Sequence, residues 1–104
     1  MTSFQDRERS FEAQFARDAE LQFRVMARRD RLFGLWAAGL LGLGGEAADE
    51  YARAMVKADF AEPGDEDVIR KAVTDLGSRA SEHDIRQTLA AKGTEARHQI
   101  MEAM

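Results

Sequence analysis

Residues 21–42, LQFRVMARRDRLFGLWAAGLLG, decide the fold of this chain. Their apolar side chains recur at intervals of three and four, which places them on one side of an α-helix, and the stripe becomes denser toward residue 42. The most apolar part, residues 32–43, is too short to span a bilayer and is predicted to be a core helix. No proline interrupts residues 3–42. The pattern therefore predicts one long helix over 3–42, or two collinear helices.

Three shorter helices are predicted after this segment. Glycines at 42, 44 and 45 end the first helix, and residues 46–61 continue with helical spacing up to the break at Pro63 and Gly64. Asp65 is the predicted N-cap of a helix reaching about residue 76. The sequence contains no alternating run of β-branched residues.

The last helix is predicted to begin at a capping box formed by Ser81 and Asp84 and to reach about residue 103. Gly93 is expected to bend or fray it. The predicted fold class is therefore all-α, a four-helix bundle whose long first helix has an N-terminal part that projects or is disordered when free.

Composition excludes several classes of protein. The chain has 104 residues, no cysteine and a formal net charge of -4, which argues against a disulfide scaffold and a generic nucleic-acid binder. Residues 1–31 carry a net charge of +1 and the remainder carries -5. The N-terminus lacks the apolar core of a secretory signal, so we expect a cytoplasmic protein without direct membrane insertion.

Most chemically suggestive residues have ordinary structural interpretations. His83 and His98 are expected to be helix-terminal residues rather than ligands, and Trp36 is expected to anchor the core. The cluster at 28–31 is expected to be a solvated face, with contact to a phosphate or an acidic partner as the alternative. We expect no catalytic residue, no metal and no cofactor.

The N-terminal segment is the exception. Phe4, Phe11 and Phe15 lie on one side of a helix at spacings of seven and four, with charged residues between them. A helix over residues 3–42 would be about 60 Å long, whereas the others would be about 18–35 Å. Its first turns must therefore project, fold back or be disordered when alone. Such an amphipathic segment is typical of helix-in-groove binding, although it could instead pack on its own domain.

These residues resemble the alphaproteobacterial F-type ATP synthase inhibitor, the zeta subunit. The first block is residues 4–12, FQDRERSFE, followed by Phe15. The similarity continues through residues 27–29, 35–38, 40–42, 51–52, 56–60, 64, 66–68, 71, 75–76, 81 and 85–86.

The resemblance implies a non-enzymatic inhibitor of ATP hydrolysis that inserts its N-terminal helix into a catalytic subunit interface of the synthase head. Residues 1–19 would be the mobile inhibitory segment and residues 20–104 the four-helix bundle. The partners would be the alpha, beta and gamma subunits, with the protein peripheral to the inner membrane through the synthase. No nucleic-acid partner is expected, and weak self-association stays open. The residues expected to bind the partner are Phe4, Arg7, Glu8, Arg9, Phe11, Glu12, Phe15 and Arg17.

Two other functions remain open at this point. One is a regulatory domain that binds a small ligand such as a nucleotide, with Trp36 near a pocket in the bundle. The other is an enzyme that uses acids such as Glu66 and Asp67, a hypothesis supported only by the abundance of acids. On the expectation drawn from the resemblance, the first 19 residues serve binding rather than the fold.

Overall fold

A computed structural model describes residues 3–104 of the chain. Met1 and Thr2, the start of the predicted inhibitory segment, lie outside the described residues. Within 3–104 the chain is all-α, as predicted. Its helices are α1 (Ser3–Phe15), α2 (Ala19–Leu40), α3 (Gly45–Ala61), α4 (Glu66–Leu76) and α5 (Glu82–Glu102), and Gly77–Arg79 forms a 3-10 turn. In this part of the chain no helix is both long enough and apolar enough to cross a bilayer.

Helices α2 to α5, called the body below, surround one main core. α2 packs along α3 and α5, and α4 closes the arrangement by contacting both α3 and α5. Phe33, Met55, Leu76 and Ile85 are completely buried at the centre. Trp36 packs against this cluster but is only half-buried, so Phe33 rather than Trp36 is the central aromatic residue.

Local capping fixes the ends of the body helices. The Ser81 hydroxyl accepts a hydrogen bond from the backbone N–H of Asp84 at 3.0 Å, which confirms the predicted start of α5. Gly77 ends α4 with φ +56°, a conformation that favours glycine. The predicted fraying at Gly93 is wrong, because α5 is continuous from 82 to 102.

The prediction of one long or collinear first helix is wrong. The chain leaves helical geometry at residues 16–18, where the N–H of Asp18 still bonds to the carbonyl of Gln14 at 2.9 Å. The Asp18 carboxylate then accepts from the N–H of Leu21 at 3.1 Å and caps α2. The amide of Gln22 closes the turn by donating to the Phe15 carbonyl at 2.7 Å. This break permits α1 to fold back.

Of the three arrangements considered for the N-terminal part, the structure has the folded-back one, and α1 does not project. It contacts α2 and α5. Phe11 is 4% exposed and belongs to a second apolar cluster with Leu21, Val25, Ala96, Ile100 and Met101. The expectation that the first 19 residues do not serve the fold is therefore wrong for Phe11, because its burial removes a large apolar surface from water.

The expectation of a solvated face at residues 28–31 is wrong for half of that cluster. Arg28 and Arg31 are exposed, but Arg29 and Asp30 are buried. The Arg29 guanidinium lies between Asp30, Asp59 and Asp65, which come from α2, the end of α3 and the residue before α4. Two of these carboxylates are distant in sequence, so the spacing within α2 gives no sign of them.

Candidate functional site

The candidate site is the face of α1 that lies against the C-terminal half of α5. Phe4, Arg7, Phe11 and Phe15 share this face. The ring of Phe4 lies edge-on to His98 with 6.5 Å between centroids. Arg7 donates to both carboxylate oxygens of Glu102 at 3.2 Å. Four of the predicted site residues are thus brought together along one helix face.

Packing of the aromatic side chains, above all of Phe11 against α2 and α5, attaches this face to the body. Phe11 and Phe15 are stacked with 6.1 Å between their centroids. The Arg97 guanidinium lies 5.6 Å from the Phe15 centroid, within the range of a cation–π interaction. A small cavity of about 110 Å³ beside Phe11 is lined by Glu8, Thr94 and Met101, among others. The packing under α1 is therefore incomplete.

The remaining predicted site residues point to solvent. Arg9, Glu12 and Arg17 are exposed and form no ion pair within residues 3–104. Phe4 is 49% exposed despite its contact with His98. Glu8 is half-buried at the edge of the small cavity. The site therefore combines a partly covered aromatic face with charged side chains that are exposed to solvent.

The attachment of α1 to the body is weak in energetic terms. Its only completely formed apolar contact is the one made by Phe11, the sole residue of α1 in the buried core. The Arg7–Glu102 pair is exposed on both sides, and ion pairs of this kind contribute about 0–1 kcal/mol. An isolated helix of this length is marginal in water. α1 is thus held to the body by few contacts.

The residues that favoured other functions do not form a convergent site. Trp36 borders a surface depression of about 810 Å³, as the ligand-binding alternative expected, but the cation lining it, Lys92, is paired with Glu95 at 3.2 Å. Glu66 pairs with Arg86 at 3.2 Å. Asp67 pairs with Arg70 at 2.8 Å. In the described range no group of His, Asp and Glu is arranged to hold a metal ion.

Sequence reasoning missed the buried charge cluster around Arg29. Its guanidinium lies 3.0 Å from Asp30, 3.2 Å from Asp59 and 3.0 Å from Asp65. As a carboxylate, Asp30 would leave Oδ2 buried without a hydrogen-bond partner. Burial, and then a hydrogen bond with Asp59 that a protonated carboxyl can make, raise the pKa of Asp30 from 3.8 to about 8. The cluster joins α2, α3 and the start of α4.

Known proteins match most of this chain. A family model described as ATPase inhibitor subunit zeta matches residues 1–99. A solved structure, determined by NMR in solution, is 42% identical with a TM-score of 0.75, and the match covers 81% of this chain and 99% of that chain. No curated protein matches the chain.

Proposed function

Because the chain belongs to the ATPase inhibitor subunit zeta family, we propose that it inhibits ATP hydrolysis by the F-type ATP synthase and is not itself an enzyme. The inhibitory element is α1, which leaves the body and inserts into a catalytic subunit interface of the synthase head. The observation that carries this proposal is the attachment of α1. It is a separate helix, joined by the turn at 16–18 and held mainly by Phe11.

Binding would use the two classes of residue that the site combines. Phe11 and Phe15 enter an apolar groove between subunits, because buried aromatic side chains supply most of the binding energy in interfaces of this kind. Arg9, Glu12 and Arg17 already face solvent, so they reach the partner without breaking a contact in the free protein. Arg7 exchanges Glu102 for a partner group.

The exchange of partners makes the proposal energetically reasonable. When α1 leaves α5, Phe11 loses one apolar environment and gains another, so the net apolar area exposed to water changes little. The main cost is the translational and rotational freedom that the two proteins lose when they associate. A helix wedged between subunits that must open and close during turnover stops that cycle without any chemistry of its own.

The proposed location follows from the partner. The chain would act in the cytoplasm, at the catalytic head, with the alpha, beta and gamma subunits as its contacts. Directional inhibition, in which hydrolysis is blocked more than synthesis, would arise if rotation in the synthesis direction expels α1.

The proposal is tested by truncation. Purified synthase head is titrated with the full chain and with a chain lacking residues 1–15, while steady-state ATP hydrolysis is recorded. Circular dichroism of the truncated chain checks that the body keeps its helices. We expect inhibition by the full chain and little by the truncated one. If the full chain fails to inhibit, or if the folded truncated chain inhibits equally, the proposal is wrong.

A further inference from the structure

A second surface of the body carries an excess of positive charge that the contacts of the fold only partly use. Arg24, Arg28 and Arg31 follow one another along α2 at spacings of four and three, and Arg53 faces them from α3. All four are exposed. They line a groove of about 360 Å³, called the arginine groove below. It lies on a protein whose net charge is -4.

The ion pairs of the body leave most of this charge uncompensated. Arg24 and Arg53 have no ion pair or hydrogen-bond partner in residues 3–104. Arg28 donates to the neutral amide of Gln99 at 2.7 Å. Arg31 has a loose contact of 3.7 Å with Asp49. Like charges at adjacent turns of a helix destabilise it slightly, so the unpaired charge of Arg24 brings the fold no gain.

The floor and the rim of the arginine groove are apolar. Ala27, Val56 and Ile100 form the floor. At the rim, Phe23 is 55% exposed and stacks on Phe60, which is 42% exposed, with 4.6 Å between ring centroids. Exposed aromatic residues beside arginines are typical of protein interfaces, where both types are enriched among residues that dominate binding.

Charge complementarity and spacing indicate the kind of partner. The three arginines of α2 span seven residues, which is about 10 Å along the helix. They therefore form a line, whereas a single phosphate would require guanidinium groups that converge on one point. An acidic amphipathic helix carries carboxylates at the same spacings of three and four, with apolar residues between them that suit this floor.

We propose that the arginine groove docks an acidic amphipathic helix of the ATP synthase head and supplies a second contact besides α1. This inference rests on the proposed function. The two contacts have different roles. α1 blocks turnover, and the arginine groove raises the rate and the affinity of association. Because a body held at the head keeps α1 near its site, the second contact increases the effective concentration of α1 there.

The test measures binding of the full chain to purified synthase head at low and high salt. Arg24→Gln with Arg53→Gln removes two exposed charges. Arg70→Gln with Arg79→Gln removes the same charge elsewhere on the body, and Arg24→Lys with Arg53→Lys keeps the charge. We expect about tenfold weaker binding for the first pair at low salt, mostly through slower association, with a smaller salt dependence. The control pair should bind as the wild type does, and the lysine pair should retain most of the affinity.

Hydrolysis recorded at saturating inhibitor separates this inference from the proposed function. The arginine-groove variant should still inhibit completely, because α1 is intact. If the wild type binds and inhibits but the Arg24→Gln, Arg53→Gln variant binds equally tightly, the inference is wrong and the proposed function stands. If the wild type neither binds nor inhibits, both fail. If inorganic phosphate or ATP shifts the amide resonances of Arg24 and Arg53 while the variant binds the head normally, the surface is a phosphate site and the inference is overturned.

Discussion

The ring of Phe11 lies on the ring of Phe15 with 19° between their planes, and this pair fills an apolar site on α2 and α5. The same two side chains are the proposed anchors of α1 in the synthase head. One aromatic face therefore has two alternative partners, its own body and the enzyme. Inhibition in this account depends on the balance between them.

Replacing Phe11 should weaken both interactions. For Phe11→Ala we expect at least a tenfold loss of inhibitory potency, because truncation of a buried aromatic anchor is among the most costly changes at an interface. The free protein should lose protection of the α1 amides in hydrogen exchange, while the body keeps its own. Val73→Ala, which shortens an exposed side chain on α4, is the control. If Phe11→Ala inhibits as strongly as the wild type, Phe11 does not contribute to binding the synthase head.

Replacing the two residues of the Arg7–Glu102 ion pair should change inhibitory potency in opposite directions. Glu102→Ala should increase inhibitory potency, because it removes only a contact that holds α1 to the body. Arg7→Ala should decrease potency, because it also removes the contact with the head. The increase should be at most about fivefold, since an exposed pair contributes about 0–1 kcal/mol. If Glu102→Ala lowers inhibitory potency as Arg7→Ala does, Glu102 supports inhibition directly.

The buried cluster around Arg29 should make stability depend on pH. The pKa of Asp30 in the folded state is about 8, whereas the ordinary pKa of an aspartic acid side chain is 3.8. Folding therefore favours the protonated form. Its contribution to stability is complete below pH 4 and is lost as the pH rises toward 8. Arg29 and Asp59 are the charged groups that act on Asp30, and Asp65 is joined to the cluster through Arg29.

Asp30→Asn should remove most of this pH dependence, because the amide resembles the protonated carboxyl. We expect the variant to melt at a similar temperature to the wild type near pH 4 and at a higher temperature at pH 9. Thermal unfolding across that range makes the comparison. Parallel melting curves for the two proteins at every pH would show that Asp30 stays ionised in the fold.

A close approach between α2 and α3 depends on Gly34. A Cβ at this position would lie 2.7 Å from the Ala52 Cα, a contact with backbone that cannot easily move. Gly34→Ala should therefore destabilise the protein by about 1–3 kcal/mol. Gly39→Ala in the same helix is the matched control, because nothing lies within 4 Å of its Cβ. The control should be stabilising by up to about 1 kcal/mol. Urea unfolding measures both, and equal effects would contradict the proposed clash.

Local sequence signals predicted the helices of the body well. Gly77 and Ser81 act on their own neighbours, so their effect on helix ends could be predicted from the sequence. The turn at 16–18 was missed because it contains neither glycine nor proline. Its cap, Asp18, resembles any other acid in a charged helix. The burial of Arg29 was missed because its partners Asp59 and Asp65 are distant in sequence.

The sequence predicted which aromatic residues share one side of α1 but not what that side contacts. The spacing of Phe4, Phe11 and Phe15 correctly places them on one helix face. It does not determine what that face contacts, because the docking surface is formed by α2 together with residues 94–102 of α5 and depends on the helix break at 16–18. Arg9 and Arg17 face solvent, whereas Phe11 is buried and would reach a partner only if α1 left the body.

The movement of α1 can be tested by tethering it to α5. Ser10 and Met104 are exposed residues beside one small cavity between α1 and the C-terminus, and neither is among the predicted contacts. The natural chain has no cysteine, so Ser10→Cys with Met104→Cys provides the only two thiols for a short bis-maleimide linker containing a reducible disulfide. Ser10→Cys alone, modified by the same linker, is the control.

The decisive measurement is steady-state ATP hydrolysis by purified synthase head in the presence of this linked protein, before and after reduction of the linker. The account predicts no inhibition while α1 is tethered, full inhibition after reduction, and inhibition by the control in both states. Equal inhibition by the tethered and the reduced protein would contradict the claim that α1 must leave α5 to act.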